Sequence, residues 1–185
     1  THRLSSAASD VYKRQNEITV PNLDDSERLL IWSIREWVIN IMRAKDPRPK
    51  LIEGFSNVLI QEAVMPFDKM MRTIGYNCCV PIDIRCHCSN LLGRTEIDLL
   101  CLITIIQNKL PIDLKKIIKI TNKENHIEMI RQSNKVVESL DRAKIKIPVR
   151  NEFLNKYQKS KNQNFNNIIF YDFRKKLYQK STWLW

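Results

Sequence analysis

Apolar residues recur at three- and four-residue intervals through most of this chain, and the intervals change character at a few sharp points. Asp24, Asp25, Ser26 and Glu27 make a strong helix start, with small capping side chains and acids in the first turn. Leu30, Ile34, Trp37, Val38 and Ile41 then share one helix face; Arg43 and Lys45 suit its C-terminal end and Pro47 stops it. A second helix begins near Pro49 and uses Leu51, Phe55, Val58 and Leu59. Pro66 opens a third, with Phe67, Met70, Met71 and Ile74 inward and Gly75 at the position of a C-terminal cap.

The helical period breaks between Tyr76 and Asn90. Val80 to Arg85 alternates apolar and polar around Pro81, which predicts extended chain or a short edge strand. Thr95, with Asp98 three residues on, predicts an imperfect capping box for a helix reaching about Asn108. That helix is apolar nearly all round, from Ile97 through Ile106, which marks it as the central one. Pro111 and Asp113 predict a short helix with Leu114, Ile117 and Ile118. Thr121 and Asn122 cap a longer one using Ile127, Ile130, Val137 and Leu140. Beyond Pro148, two amphipathic stretches (Val149–Tyr157 and Asn166–Tyr178) flank a polar run from Gln158 to Asn164, the best candidate linker.

The pattern predicts an all-α fold: a single bundle of about six or seven helices with an irregular cysteine-rich segment near 76–90. Composition agrees. The chain of 185 residues can bury a proper core, and its three glycines are too few for the many turns of an all-β fold. The strongest apolar run, Leu99 to Ile106, is too short to span a bilayer.

Residues 1–15 are set aside. Ser5 to Gln15 resembles the in-frame translation of a sequencing adapter, and it has no apolar region of the kind a secretion signal needs. The expected organisation is then a helical domain over 16–148 and a basic, aromatic helical extension over 149–185, packing on that domain or projecting from it.

Charge sharpens the picture at one end. Of the formal net charge of +11, residues 143–185 carry +8, with ten Lys/Arg against Glu152 and Asp172. Such a segment attracts nucleic acid, an anionic surface or an acidic protein. Lys156, Lys159, Lys161, Arg174, Lys175 and Lys176, with Trp183 and Trp185, are therefore candidate partner-binding residues, since interleaved basic and aromatic side chains can stack bases. An AT-rich genome also produces abundant Lys, Asn and Ile, so a solvated lysine-rich surface needs no partner at all.

Four of the five cysteines fall within the eleven residues from Cys78 to Cys88. Zinc takes four thiolate or imidazole ligands, which makes Cys78, Cys79, Cys86 and Cys88 candidate ligands, with His87 and His126 weaker ones. Cys86 and Cys88 share a side in extended chain and could grip one ion; adjacent Cys78 and Cys79 diverge. A second reading is redox chemistry, with a vicinal Cys78–Cys79 pair and Arg85 or His87 as the cationic neighbour. The third is packing: small, soft cysteines in a reducing compartment, as expected of Cys101 inside the central helix. No catalytic residues and no Gly-rich phosphate loop stand out.

The stretch Leu29-Leu30-Ile31-Trp32-Ser33-Ile34-Arg35-Glu36-Trp37-Val38, the turn Pro81 to Cys88, the helix start Thr95-Glu96-Ile97-Asp98 and the ending Trp183-Leu184-Trp185 together resemble an uncharacterised small helical family of alphaproteobacteria. The resemblance covers most of residues 24–110. It implies a cytoplasmic bacterial protein and a native C-terminus, and it supplies no activity. Three function classes follow: a non-catalytic interaction or regulatory module with a protein or nucleic-acid partner, a structural zinc-binding domain, and a small thiol-dependent redox enzyme.

Overall fold

The computed structural model describes residues 19–159 apart from 79, 113, 115, 116 and 118–120, together with the side chains at those positions except 123 and 156–159. Six α-helices and no β-strand lie among the described residues: α1 (Asp25–Met42), α2 (Arg48–Ser56), α3 (Val64–Asn77), α4 (Arg94–Gln107), α5 (His126–Arg142) and α6 (Asn151–Lys159). The all-α expectation holds. The expected short helix around Asp113–Ile118 lies largely outside the described residues, as does the stretch Asn166–Tyr178.

The α1 start is as expected, with Glu27 reaching back to accept from the Asp24 backbone N–H at 2.8 Å. The helix buries Leu30, Ile31, Ile34, Trp37, Val38 and Ile41. It packs against α2, α3 and α4. The indole N–H of Trp37 donates to Asp68 on α3 at 2.8 Å. At the crossing with α2, a Cβ on Gly54 would come within 2.3 Å of the Trp32 ring, so glycine there sets how closely α1 and α2 approach. Phe55 and Phe67 meet edge to face at 5.8 Å between α2 and α3.

The central position of α4 also holds. Leu99 to Ile103 and Ile105 are all buried, and the helix is packed by α1, α5 and α6. The α3–α5 and α4–α5 contacts are the most extensive among the described residues. Phe153 and Leu154 of α6 join the same core, and Arg150 just before that helix ties it to the start of α1. Its guanidinium donates to both oxygens of Glu27, 1% exposed at the start of α1, at 2.7 Å each.

Four turns close the helices without glycine. Ala44, Leu59, Lys109 and Lys144 all sit at positive φ, between 50° and 60°. In each case the next residue reaches back five positions: Lys45 N–H to Asn40, Ile60 to Phe55, Leu110 to Ile105 and Ile145 to Leu140. This is the Schellman arrangement, whose left-handed position glycine normally fills. A Cβ there costs roughly 1–2 kcal/mol. Leu59 is 83% exposed, so its side chain returns little by burial. Leu59→Gly is therefore expected to raise stability by about 0.5–1 kcal/mol, net of the entropy glycine adds to the unfolded chain. Urea denaturation checks this, and a loss of stability would contradict the strain assigned to that turn.

Several sequence expectations need correction. Leu59 is not a core residue of α2; the helix ends at Ser56 and Ile60, 1% exposed, takes the inward place. Gly75 does not cap α3, which runs two residues further to Asn77. Ile127 is 79% exposed. The buried stripe of α5 runs through Met129, Ser133, Val136, Val137 and Leu140, and at 100° per residue position 127 falls on the opposite side. Thr95 does not cap α4: the helix starts at Arg94 after Gly93, and Glu96 bonds back to the Gly93 N–H at 2.6 Å.

Candidate functional site

Residues 81–93, between α3 and α4, run without regular helix or strand and carry the one disulfide among the described residues. Cys86 and Cys88 are joined, with their Cα atoms 5.3 Å apart, and both cysteines are exposed. A turn closes the pair, the Ser89 N–H donating to the Cys86 carbonyl at 3.1 Å.

The frame beneath this turn is a buried ion pair. Arg35 of α1 and Glu96 of α4 are 4% and 0% exposed. The guanidinium donates twice to the carboxylate, Nε to Oε1 at 2.7 Å and Nη2 to Oε2 at 3.1 Å. Its remaining donors turn outward, Nη1 to the Ser89 carbonyl at 2.7 Å and Nη2 to the Leu91 carbonyl at 2.8 Å. The carboxylate in turn accepts the backbone N–H groups of Arg85 at 3.1 Å and Gly93 at 2.6 Å. A buried charge is tolerated only when paired and fully hydrogen-bonded. Here the backbone on both sides of the disulfide completes that bonding, so the turn and the ion pair hold each other in place.

The approach to the turn is fixed separately. Asp83 accepts the Arg94 N–H through its carboxylate at 2.8 Å and the Thr95 N–H through its carbonyl at 3.1 Å, while its own N–H donates to the Thr95 hydroxyl at 3.0 Å. The fit is tight enough that a Cβ on Gly93 would sit 2.2 Å from the Asp83 carbonyl oxygen. Arg85 pairs with the same Asp83 carboxylate at 3.2 Å.

At the tip, His87 Nε2 lies 3.1 Å from Glu36 Oε2 on α1. Glu36 is oriented in turn by Asn40, whose amide donates to Glu36 Oε1 and to the Glu36 carbonyl, both at 2.8 Å. One helix turn of α1 thus supplies both anchors of the cysteine segment, Arg35 for its base and Glu36 for its tip.

The sequence-derived metal candidates divide among three places. Cys86 and Cys88 are bonded to each other, and a disulfide sulfur is not the thiolate that zinc requires. His87 is with Glu36. Cys78 forms an isolated antiparallel bridge with Thr121, and His126 Nε2 meets the Thr121 carbonyl at 3.1 Å. Cys79 lies outside the described residues, and Cys101 is buried in α4, as expected. Among the described residues no three His, Cys, Asp or Glu side chains converge on one point. The partner-binding candidates Lys161, Arg174, Lys175, Lys176, Trp183 and Trp185 lie outside the described residues, as do the side chains of Lys156 and Lys159. No described helix is long and apolar enough to cross a membrane.

Arg35, Glu96 and Glu36 are the site residues that the sequence reading missed. Arg35 falls four residues after Ile31 and three before Val38, both buried, so helical periodicity already placed a charge on the apolar face. No protein-family model, no curated protein and no solved structure matches this chain.

Proposed function

We propose that the protein performs thiol–disulfide exchange at Cys86 and Cys88, passing two electrons between this pair and a dithiol. The observation that supports the reading is an exposed disulfide between near neighbours in sequence, mounted on a rigid buried frame. A disulfide spanning a single intervening residue closes almost no chain, so it adds little stability by restricting the unfolded state. Its exposure leaves both sulfurs open to attack. The setting that suits such a bond is a reducing cytoplasm, where disulfides tend to be catalytic or redox-sensing rather than structural.

In the reductive direction a thiolate of the dithiol attacks one cysteine sulfur. The Cys86–Cys88 bond breaks, a mixed disulfide forms, and the departing cysteine leaves as a thiolate that takes up a proton. The second thiolate of the dithiol then attacks its own sulfur in the mixed disulfide and releases the other cysteine. The dithiol ends as a disulfide, and Cys86 and Cys88 end as two thiols.

Equilibration of the full chain with graded ratios of reduced and oxidised dithiothreitol, followed by acid quench, alkylation and mass spectrometry, tests this. Cys86 and Cys88 are expected to become alkylated together, in a reversible two-electron transition that Cys86→Ser abolishes. Two findings would overturn the proposal: a pair that stays reduced under oxidising ratios, or stoichiometric zinc held by the thiol form.

A further inference from the structure

The base of the cysteine turn is fixed through backbone groups of residues 85, 89, 91 and 93, none of which involves a sulfur atom. The tip, residues 86–88, is held differently. In the oxidised form the disulfide itself closes it. Once that bond is broken, what remains at the tip is the Ser89-to-Cys86 turn bond and the contact of His87 with Glu36. His87 stands between the two cysteines in sequence, so where its ring is held governs how far the tip can open.

We infer that Glu36 is a positioning residue for the Cys86–Cys88 couple, acting through His87. The inference rests on the redox reading above and deepens it. Glu36 suits the role because it is itself restrained. Its side chain is 18% exposed, and the Asn40 amide one turn along α1 donates one hydrogen bond to the carboxylate and one to the Glu36 backbone carbonyl. A restrained acceptor holds the His87 ring, and with it the tip, near the closed geometry after reduction. The dithiol then has less freedom to lose when the disulfide re-forms, which favours the oxidised state. Removing the carboxylate frees the reduced tip and leaves the oxidised tip closed by its own bond. The equilibrium therefore moves toward the dithiol.

The experiment measures the dithiothreitol equilibrium constant of the full chain for wild type, Glu36→Ala, Glu36→Gln, His87→Ala and the Glu36→Ala/His87→Ala double variant. Circular dichroism confirms the helical fold of each. Glu36→Ala is expected to shift the constant about three- to tenfold toward reduction, the range that loss of one hydrogen bond produces. Glu36→Gln keeps an acceptor for the ring and is expected to recover part of the shift. In the His87→Ala background Glu36→Ala is expected to add nothing further, a result that general loosening of α1 does not produce. An unchanged constant in folded Glu36→Ala overturns the inference, and so does an equal shift with and without His87. Should Glu36→Ala fail to fold, Glu36→Gln and His87→Ala decide, and absence of a shift in both overturns it. A wild-type chain with no reversible couple ends the redox reading and this inference together; an intact couple indifferent to Glu36 ends this inference alone.

Discussion

Arg35→Met is expected to lower the unfolding free energy by about 3–5 kcal/mol, because it leaves the buried Glu96 carboxyl without its cation. The loss does not stop at the pair. The carbonyls of Ser89 and Leu91 lose the Arg35 guanidinium in the same step, Leu91 keeping only the Ser89 hydroxyl, so the cysteine turn loses its tie to α1. In many proteins a buried ion pair can be exchanged for two apolar residues at little cost. Here Arg35→Met combined with Glu96→Leu is expected to recover only part of the stability, since the Arg85 and Gly93 N–H groups also lose their acceptor. Urea denaturation of the two variants measures both quantities. A loss below about 1 kcal/mol in the single variant would contradict the account, since removing one partner of a buried pair leaves the other uncompensated. Full recovery in the double variant would show that the turn does not depend on the pair.

Trp37→Ala carries the second large effect. The side chain is 2% exposed and fills the space where α1 meets α3, so its deletion costs about 3–5 kcal/mol in transfer and cavity terms. Part of that loss is polar. The indole N–H is the donor to Asp68 Oδ1, and Asp68 is 4% exposed, with its other oxygen paired to Arg72 at 2.8 Å. Trp37→Phe keeps most of the ring, removes that donor and leaves Asp68 with the Arg72 pair. It is expected to cost about 1–3 kcal/mol, the range for a buried acceptor left short of a partner, plus a smaller cavity term. Thermal and urea unfolding of both variants separates the two contributions. Equal losses for Trp37→Ala and Trp37→Phe would mean that the hydrogen bond, and not the ring, dominates.

The helices were legible because their signals are local. Asp24 to Glu27 at one end of α1, Pro47 beyond the other, and Leu30, Ile34, Trp37 and Ile41 between them leave little choice. The same locality explains the errors at helix ends. Gly75 looked like a cap because glycine commonly is one, yet this chain places Ala44, Leu59, Lys109 and Lys144 in the left-handed position and leaves Gly75 inside α3. Composition cannot reveal a turn that accepts strain. The unusual cysteines were legible as a cluster; the spacing placed Cys86 and Cys88 on one side of extended chain, whereas a turn closed by the Ser89 N–H on the Cys86 carbonyl brings them together. Their joining to each other, rather than around an ion, depends on a frame whose parts lie 61 residues apart, Arg35 and Glu96. Nothing in the spacing of the cysteines contains that distance. The charge on the apolar face of α1 was the available clue, because a buried arginine obliges a carboxylate somewhere in the core.

The bond between Arg150 and Glu27 spans 123 residues of chain. While the protein is being synthesised, Arg150 emerges 123 residues after Glu27, near the end of the described region. At ordinary translation rates of about 5–20 residues per second, the interval lasts from about 6 to 25 seconds. Throughout it the start of α1 lacks the cation that permits its carboxylate to be enclosed, so the start of that helix is among the last parts of the described fold to settle. A ribosome-bound chain stalled before position 150 should accordingly leave its N-terminal segment open to proteolysis, and release of the finished chain should close it.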